Sequence, residues 1–254
     1  MRNNVYKDNL QPYENPEGYD EKNDKYVEDI HFFKKWAAGK EGPVIDLACG
    51  TGRVTLPLAE NGISLMGVDI HPGMLSRAKE KAEAENLTVH FFEQDCCSLS
   101  LPVQTDFIYM TGNSFQHFLT NDTQDRLLQS VKAHLVKGGM FVFGTRFPQA
   151  GELISAESTE TIHKREGDSQ ITYTSTESYD PVEQILYCES KTFIDERLVD
   201  TDRIKLRYVY PQEMKRVLET NGFSLTAVYG DWDESPLTKH STNMIVVCEK
   251  AENA

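Results

Sequence analysis

The chain has 254 residues, with 26 Lys or Arg against 40 Asp or Glu, for a formal net charge of −14. A surface of that sign repels phosphate backbones and anionic lipid, so nucleic acid is an unfavourable partner. A mean hydropathy of −0.50, with no apolar run near the ~18 residues of a membrane span, argues against a membrane protein, and 12 Phe with 11 Tyr are too many for a disordered acidic chain.

The opening Met1-Arg2-Asn3-Asn4-Val5-Tyr6-Lys7-Asp8 has no apolar h-region, so neither signal peptide nor anchor is expected and a cytoplasmic protein is the reading. Five cysteines, Cys49, Cys96, Cys97, Cys188 and Cys248, lie in or beside apolar segments without metal-ligand spacing. They read as reduced, buried thiols, with a redox role for the vicinal Cys96-Cys97 pair left open and no metal expected.

Short β-branched runs then alternate with stretches of helical period. Val44-Ile45-Asp46-Leu47-Ala48 is a strand entered through Gly42-Pro43, and 52–60 is a helix closed by Asn61-Gly62. A second strand over 64–69 leads to Pro72, which opens a helix to about residue 86. Strand three is expected over 87–92, strand four over 106–110, a helix over 123–135 and strand five over 140–143 after Gly138-Gly139. This alternation implies a parallel sheet with helices on both faces. From about 159 to 210 only period-two alternation is present, punctuated near Asp180-Pro181 and Asp195-Glu196, which predicts antiparallel hairpins. Pro211 starts a last helix ending at Asn221-Gly222, and 223–229 with 244–248 are the final strands.

Chemistry concentrates at Asp46-Leu47-Ala48-Cys49-Gly50-Thr51-Gly52-Arg53, where glycines let backbone turn sharply and approach a ligand at a helix N-terminus. Asp69 ends strand two, where a carboxylate can accept both hydroxyls of a ribose, and Asp95 follows strand three. Three carboxylates at neighbouring strand ends repel a pyrophosphate, and the third glycine of a dinucleotide fingerprint is missing. A cationic adenosyl ligand such as S-adenosylmethionine fits better.

On these residues the chain resembles the class I S-adenosylmethionine-dependent methyltransferases, in particular their small-molecule members. The resemblance runs from about Tyr26 to Cys248 and is carried in order by the 44–52 segment, Gly67-Val68-Asp69-Ile70 with Met74, Gln94-Asp95, and His134-Leu135-Val136-Lys137-Gly138-Gly139-Met140. Lys137 stands where the family usually has proline. The resemblance implies a Rossmann-like seven-stranded mixed sheet of order 3-2-1-4-5-7-6, the last strand antiparallel. Residues 1–150 and 210–254 would form its core, and an antiparallel β lid would be inserted at 151–209.

It also implies roles. Ala48, Gly50, Thr51 and Gly52 would line the methionine portion, with Asp46 toward its ammonium. Asp69 would hold the ribose, Ile70 and Met74 would sandwich the adenine, and Asp95 with the Cys96 amide would meet its edge. Met110 and Thr111 would close the site beneath the sulfonium. Tyr19 and Tyr26, in an aromatic strip with Tyr13, would contact the methionine carboxylate or the methyl site, while Phe32, Phe33 and Trp36 read as core. Methyl transfer is an in-line displacement aided by alignment and, where needed, a base. His117 is the candidate base, or alternatively orders its loop; Arg146 binds an anionic group of the acceptor or neutralises local acids. Phe115, Tyr208 and Trp232 complete the expected acceptor side. The expected function is methyl transfer to oxygen or nitrogen of a small molecule, releasing S-adenosylhomocysteine. The alternatives are an NAD-dependent oxidoreductase and a non-catalytic S-adenosylmethionine-binding protein. Oligomeric state is not legible.

Overall fold

The computed structural model describes residues 9–149, 153, 157–167 and 169–251. The opening segment read for targeting and the expected 150/151 domain boundary lie outside them. The chain divides into two compact units, Tyr13–Phe147 with Val209–Ala254 and Pro148–Tyr208 with Met1–Pro12.

The larger unit holds a seven-stranded sheet. Its elements in chain order are α1 (Pro16–Asn23), α2 (Glu28–Ala37), β1 (Val44–Leu47), α3 (Thr55–Glu60), β2 (Leu65–Asp69), α4 (Pro72–Ala84), β3 (His90–Glu93), β4 (Thr105–Met110), α5 (Asn121–His134) and β5 (Leu135–Arg146). After the second unit's strands β6 (Ser158–Glu166), β7 (Ser169–Asp180), β8 (Ile185–Ile194) and β9 (Arg197–Arg207) come α6 (Pro211–Thr220), β10 (Phe223–Tyr229) and β11 (Asn243–Lys250). The sheet order is β10-β11-β5-β4-β1-β2-β3, with β11 antiparallel to both its neighbours. This is the expected 3-2-1-4-5-7-6 topology.

Alternation along the central strands sends side chains to two apolar layers. Ile45, Leu47, Ile108 and Met110 pack with Leu127, Leu128 and Val131 of α5 and with Met214, Val217 and Leu218 of α6. Val44, Phe107 and Tyr109 pack with Ile30, Phe32 and Phe33 of α2 and Leu58 of α3. Every residue of β1 and β2 is buried, as a strand covered on both faces requires.

Several boundaries differ from the sequence reading, and four of the shifts have a visible local cause. Gly52 is at φ +82°, so α3 begins three residues later, at Thr55. Leu87 N–H donates to Ala82 O and Asn86 is at φ +56°, so those residues end α4 and β3 starts only at His90. The reciprocal Thr120–Thr123 capping box starts α5 at Asn121. Leu135 already pairs with Thr105, and a bulge lets β5 run from Leu135, taking in the Gly138-Gly139 stretch expected to precede the strand.

The smaller unit is a four-stranded antiparallel sheet in the order β6-β7-β8-β9. Tyr179, Leu186, Leu206 and Tyr208 form its own small core. Asn9 exchanges both side-chain amide bonds with the backbone of Lys205, and Gln11 Nε2 donates to Thr201 O. These amide contacts leave no hydrophobic period in the sequence.

Candidate active site

Asp46 points from β1 into the α2/α3 layer and is 1% exposed. Its Oδ2 accepts from Thr55 Oγ1 at 2.6 Å and from the Tyr109 hydroxyl at 2.8 Å. Its Oδ1 is buried without a hydrogen-bond partner. Burial pushes this carboxyl up to about 7, against the two hydroxyl donors that favour its charged form.

Beyond β1 the chain turns through three left-handed residues, Ala48 (φ 54°), Gly50 (φ 57°) and Gly52 (φ 82°). A Cβ at Gly50 would lie 3.3 Å from Met74 Cε, and the Gly50 amide donates to Asp69 Oδ2 at 2.8 Å. The His71 amide donates to Asp69 Oδ1, also at 2.8 Å. One carboxylate at the end of β2 therefore fixes both the glycine loop and the start of α4. Burial raises the Asp69 carboxyl, with these two amides pulling it back.

The N-terminal segment of this unit closes on the same region. Asn15 caps α1 by accepting from Gly18 N–H, and Asp20 pairs with Arg77 and Lys81 of α4. Tyr13 packs 5.6 Å from Tyr19, and its hydroxyl lies 3.2 Å from His117 Nε2. Burial lowers the His117 imidazole to about 4 and raises the Tyr13 phenol, so both groups are neutral at pH 7. On α2, Asp29 is fully buried and takes a bidentate bond from Arg53 at 2.8 and 2.6 Å, plus the Thr111 hydroxyl at 2.6 Å. Arg53 also donates to Tyr26 O and lies over the Tyr26 ring, whose hydroxyl accepts from Trp232 Nε1 at 2.6 Å.

Ala48, Gly50, Gly52, Asp69 and Met74 thus come together, with Asp46 beneath them and Tyr13 and Tyr19 alongside. Ile70 stays 38% exposed at the end of β2. Asp95 lies two residues past β3, where its Oδ1 accepts from Cys97 N–H and starts a short turn of helix containing buried Cys96. All five cysteines are free thiols; burial raises those of Cys49 and Cys96, which makes them poor nucleophiles. Thr111 spends its hydroxyl on Asp29.

The structure places three residues expected on the acceptor side in packed surroundings. Phe115 is fully buried and stacked 4.5 Å from Phe143. Tyr208 is equally buried and belongs to the smaller unit's core, 5.7 Å from Tyr179. Trp232 packs against Phe32 and Phe33, and its ring lies so close over Gly144 that a Cβ there would come within 2.6 Å. The Arg146 backbone is held by Gln116 at both N–H and C=O. The sequence reading passed over Asp29, Arg53 and the Tyr13–His117 contact. Only Arg53, next to the last glycine of the loop, carried a local signal.

Residues 44–139 match the family described as Methyltransferase domain. Among solved structures, the CcbJ methyltransferase of Streptomyces caelestis superposes with a TM-score of 0.79 at 25% identity, over 88% of this chain and 94% of that one. Residues 44–139 carry a methyltransferase domain, on the fold of the S-adenosylmethionine-dependent methyltransferases. An amino pentose methyltransferase of Micromonospora echinaspora, solved with S-adenosylmethionine bound, shares the fold of this methyltransferase at TM-score 0.72 and 15% identity, over 99% and 98% of the two chains. A protein named as a methyltransferase in Geobacillus sp. (strain WCH70) is 29% identical over 41% of this chain, a match spanning less than half of that protein (43%). The span matched to the family opens at β1 and closes in β5, so it contains the glycine loop, Asp69, Asp95 and His117.

The methyltransferase residues suit its cofactor on two structural grounds. An unpartnered, buried Asp46 Oδ1 has a cation to gain, and the left-handed Gly50 lets the backbone pass Met74 where a Cβ would press on its methyl at 3.3 Å. A second carboxylate at Asp69 adds negative charge, which favours a sulfonium and ammonium over a diphosphate. Among the described residues no helix is long and apolar enough to cross a membrane.

Proposed function

We propose that the methyltransferase acts on the nitrogen of a small-molecule amine. The observation that carries this is the Tyr13–His117 contact: the imidazole Nε2 lies 3.2 Å from the Tyr13 hydroxyl, and desolvation of the partly buried ring lowers it to about 4. A base matched to deprotonating a hydroxyl has a pKa near the working pH, and this imidazole lies well below it. A free-base amine brings its own lone pair and sheds its proton only after transfer, so it needs orientation more than abstraction. A further fold neighbour, from Streptoalloteichus, is named as a sugar N-methyltransferase, which points the same way.

S-adenosylmethionine, when bound, supplies a methyl group on a sulfonium. Asp69, pre-oriented by the Gly50 and His71 amides, retains a free lone pair on each oxygen for the two ribose hydroxyls. Asp46 Oδ1 accepts from the cofactor's ammonium, directly or through water, and the backbone of Ala48, Gly50, Thr51 and Gly52 lines the methionine portion. Ile70 and Met74 sandwich adenine, Asp95 and the Cys96 amide meet its edge, and Met110 and Thr111 close the floor. Tyr19 and Tyr26 belong to the strip beside the methionine carboxylate. The Tyr13–His117 pair is assigned to orienting the acceptor amine and Arg146 to an anionic group on the acceptor.

The test is transfer of a radiolabelled methyl group from S-adenosylmethionine to matched panels of amino sugars and their hydroxyl analogues. Label in the amines alone is expected, with His117→Asn lowering kcat more than it raises KM. Label confined to the hydroxyl analogues would overturn the nitrogen assignment.

A further inference from the structure

The two edges of the four-stranded sheet are treated differently. Along β9 the side chains of Asn9 and Gln11 occupy backbone groups of Lys205 and Thr201. β6 pairs with β7 on one side only, through an unbroken register from Ser158↔Glu177 to Glu166↔Ser169, and has no partner on its other side among the described residues. Residues 158–165 are all exposed, including Ile162 at 48%. The strand contains no proline, and its pairing shows no bulge. Those are two of the devices by which proteins blunt a free edge. In an antiparallel ladder alternate residues turn their N–H and C=O outward, so β6 presents a row of unmet donors and acceptors.

The order of its side chains selects the strand that fits. If a second β6 lies antiparallel about a two-fold axis through Ile162, Glu160 falls opposite the other copy's Lys164 twice. Thr161 then falls opposite His163, and the two Ile162 side chains meet at the axis. A two-fold perpendicular to the sheet keeps the same faces in register, and a slip of two residues either way removes both Glu160–Lys164 pairs. β6 carries Glu160 and Glu166 against Lys164 and Arg165, a balanced strand in a chain of net charge −14, so the edge escapes the repulsion that the rest of the surface would impose. Lys164 already lies over the Tyr173 ring at 5.6 Å, which holds its stem against the sheet.

We propose that β6 is a self-association edge, on which a second copy of this chain adds its own β6 to make a continuous eight-stranded sheet. The interface is a strand addition with main-chain bonds supplying affinity and two symmetric ion pairs supplying register. It is narrow, so association is concentration-dependent.

The test is sedimentation velocity of the full chain up to roughly 100 μM, the range in which a weak strand-addition dimer is populated. A monomer–dimer equilibrium is expected. Ile162→Lys, which sets two ammonium groups face to face on the axis, is expected to abolish it. Glu160→Lys is expected to weaken it by about tenfold, and Glu160→Lys combined with Lys164→Glu to restore it. These positions are exposed, so unaltered far-UV circular dichroism is the folding control. A wild-type monomer throughout the range would overturn the proposal. So would a dimer indifferent to Ile162→Lys, or a charge swap that fails to rescue. Protected outward amides of β6 in a purely monomeric sample would give the edge to another segment of the same chain, also against the proposal.

Discussion

The two sheets bury their side chains in opposite styles. In the seven-stranded sheet the central strands are covered on both faces, and Ile45, Leu47, Phe107 and Ile108 are fully buried. In the four-stranded sheet β6 is exposed along its described length and β9 becomes buried only at Leu206 and Arg207. The chemistry-bearing groups lie at strand ends of the first. A carboxylate such as Asp46 can be held desolvated and partly unpartnered only where rigid, two-sided packing over-determines its position. The second sheet is stabilised by cross-strand pairs such as Arg203–Glu189 and His163–Thr172, which tolerate substitution.

Ion pairs give the largest expected contrast between the two. Asp29→Ala would leave the Arg53 guanidinium, whose side chain is 11% exposed, without its bidentate partner. It should cost about 3–5 kcal/mol in urea unfolding. Glu189→Ala removes a carboxylate that serves both Lys191 and Arg203 on the small sheet, and should leave the urea midpoint close to that of the wild type because that network is solvated. Equal losses would erase the distinction drawn here.

Asp46→Asn comes next and acts in the opposite direction. The folded chain raises this carboxyl from 3.8 to about 7, so its contribution is favourable below pH 4 and is lost as pH rises through about 7. Removing the charge should stabilise the free protein by about 1–2 kcal/mol at pH 8 and have no effect at pH 4, while weakening cofactor binding. Thermal melts at the two pH values check it. Stabilisation that does not depend on pH would show that the carboxylate is not charged at pH 8.

The smallest effect concerns Ala48, whose φ of 54° is one that side chains resist. Ala48→Gly should relieve the strain and add back unfolded-state freedom, leaving a net change of about 0.5 kcal/mol. A destabilisation of several kcal/mol would mean that the methyl group is packed.

Much of this was legible in the sequence because it is local. The apolar run of β1, the glycine loop and Asp69 sit within 26 residues of one another, and their order carries the family resemblance. The β10 boundaries follow from a period-two run bounded by Asn221-Gly222. The Asp29–Arg53 clamp joins residues 24 apart and the Tyr13–His117 contact residues 104 apart, so neither has a spacing to recognise. The packing of Phe115 and Tyr208 is illegible for a related reason. An aromatic near a strand end looks the same in sequence whether it faces a pocket or, like Phe115 on Phe143, a neighbouring ring.

The central claim is that Asp46 and Asp69 make this site for a cationic adenosyl ligand. Isothermal titration of S-adenosylhomocysteine, which keeps the ribose and the ammonium, into the wild type and Asp69→Ala at pH 6 and pH 8 tests it most directly. The wild type should bind more tightly at pH 8 than at pH 6, since binding draws Asp46 into its charged form, and Asp69→Ala should lose affinity by about 100-fold or more through its two ribose hydrogen bonds and its support of the Gly50 loop. Wild-type binding that Asp69→Ala leaves unchanged at both pH values, or no wild-type binding at all, would contradict it.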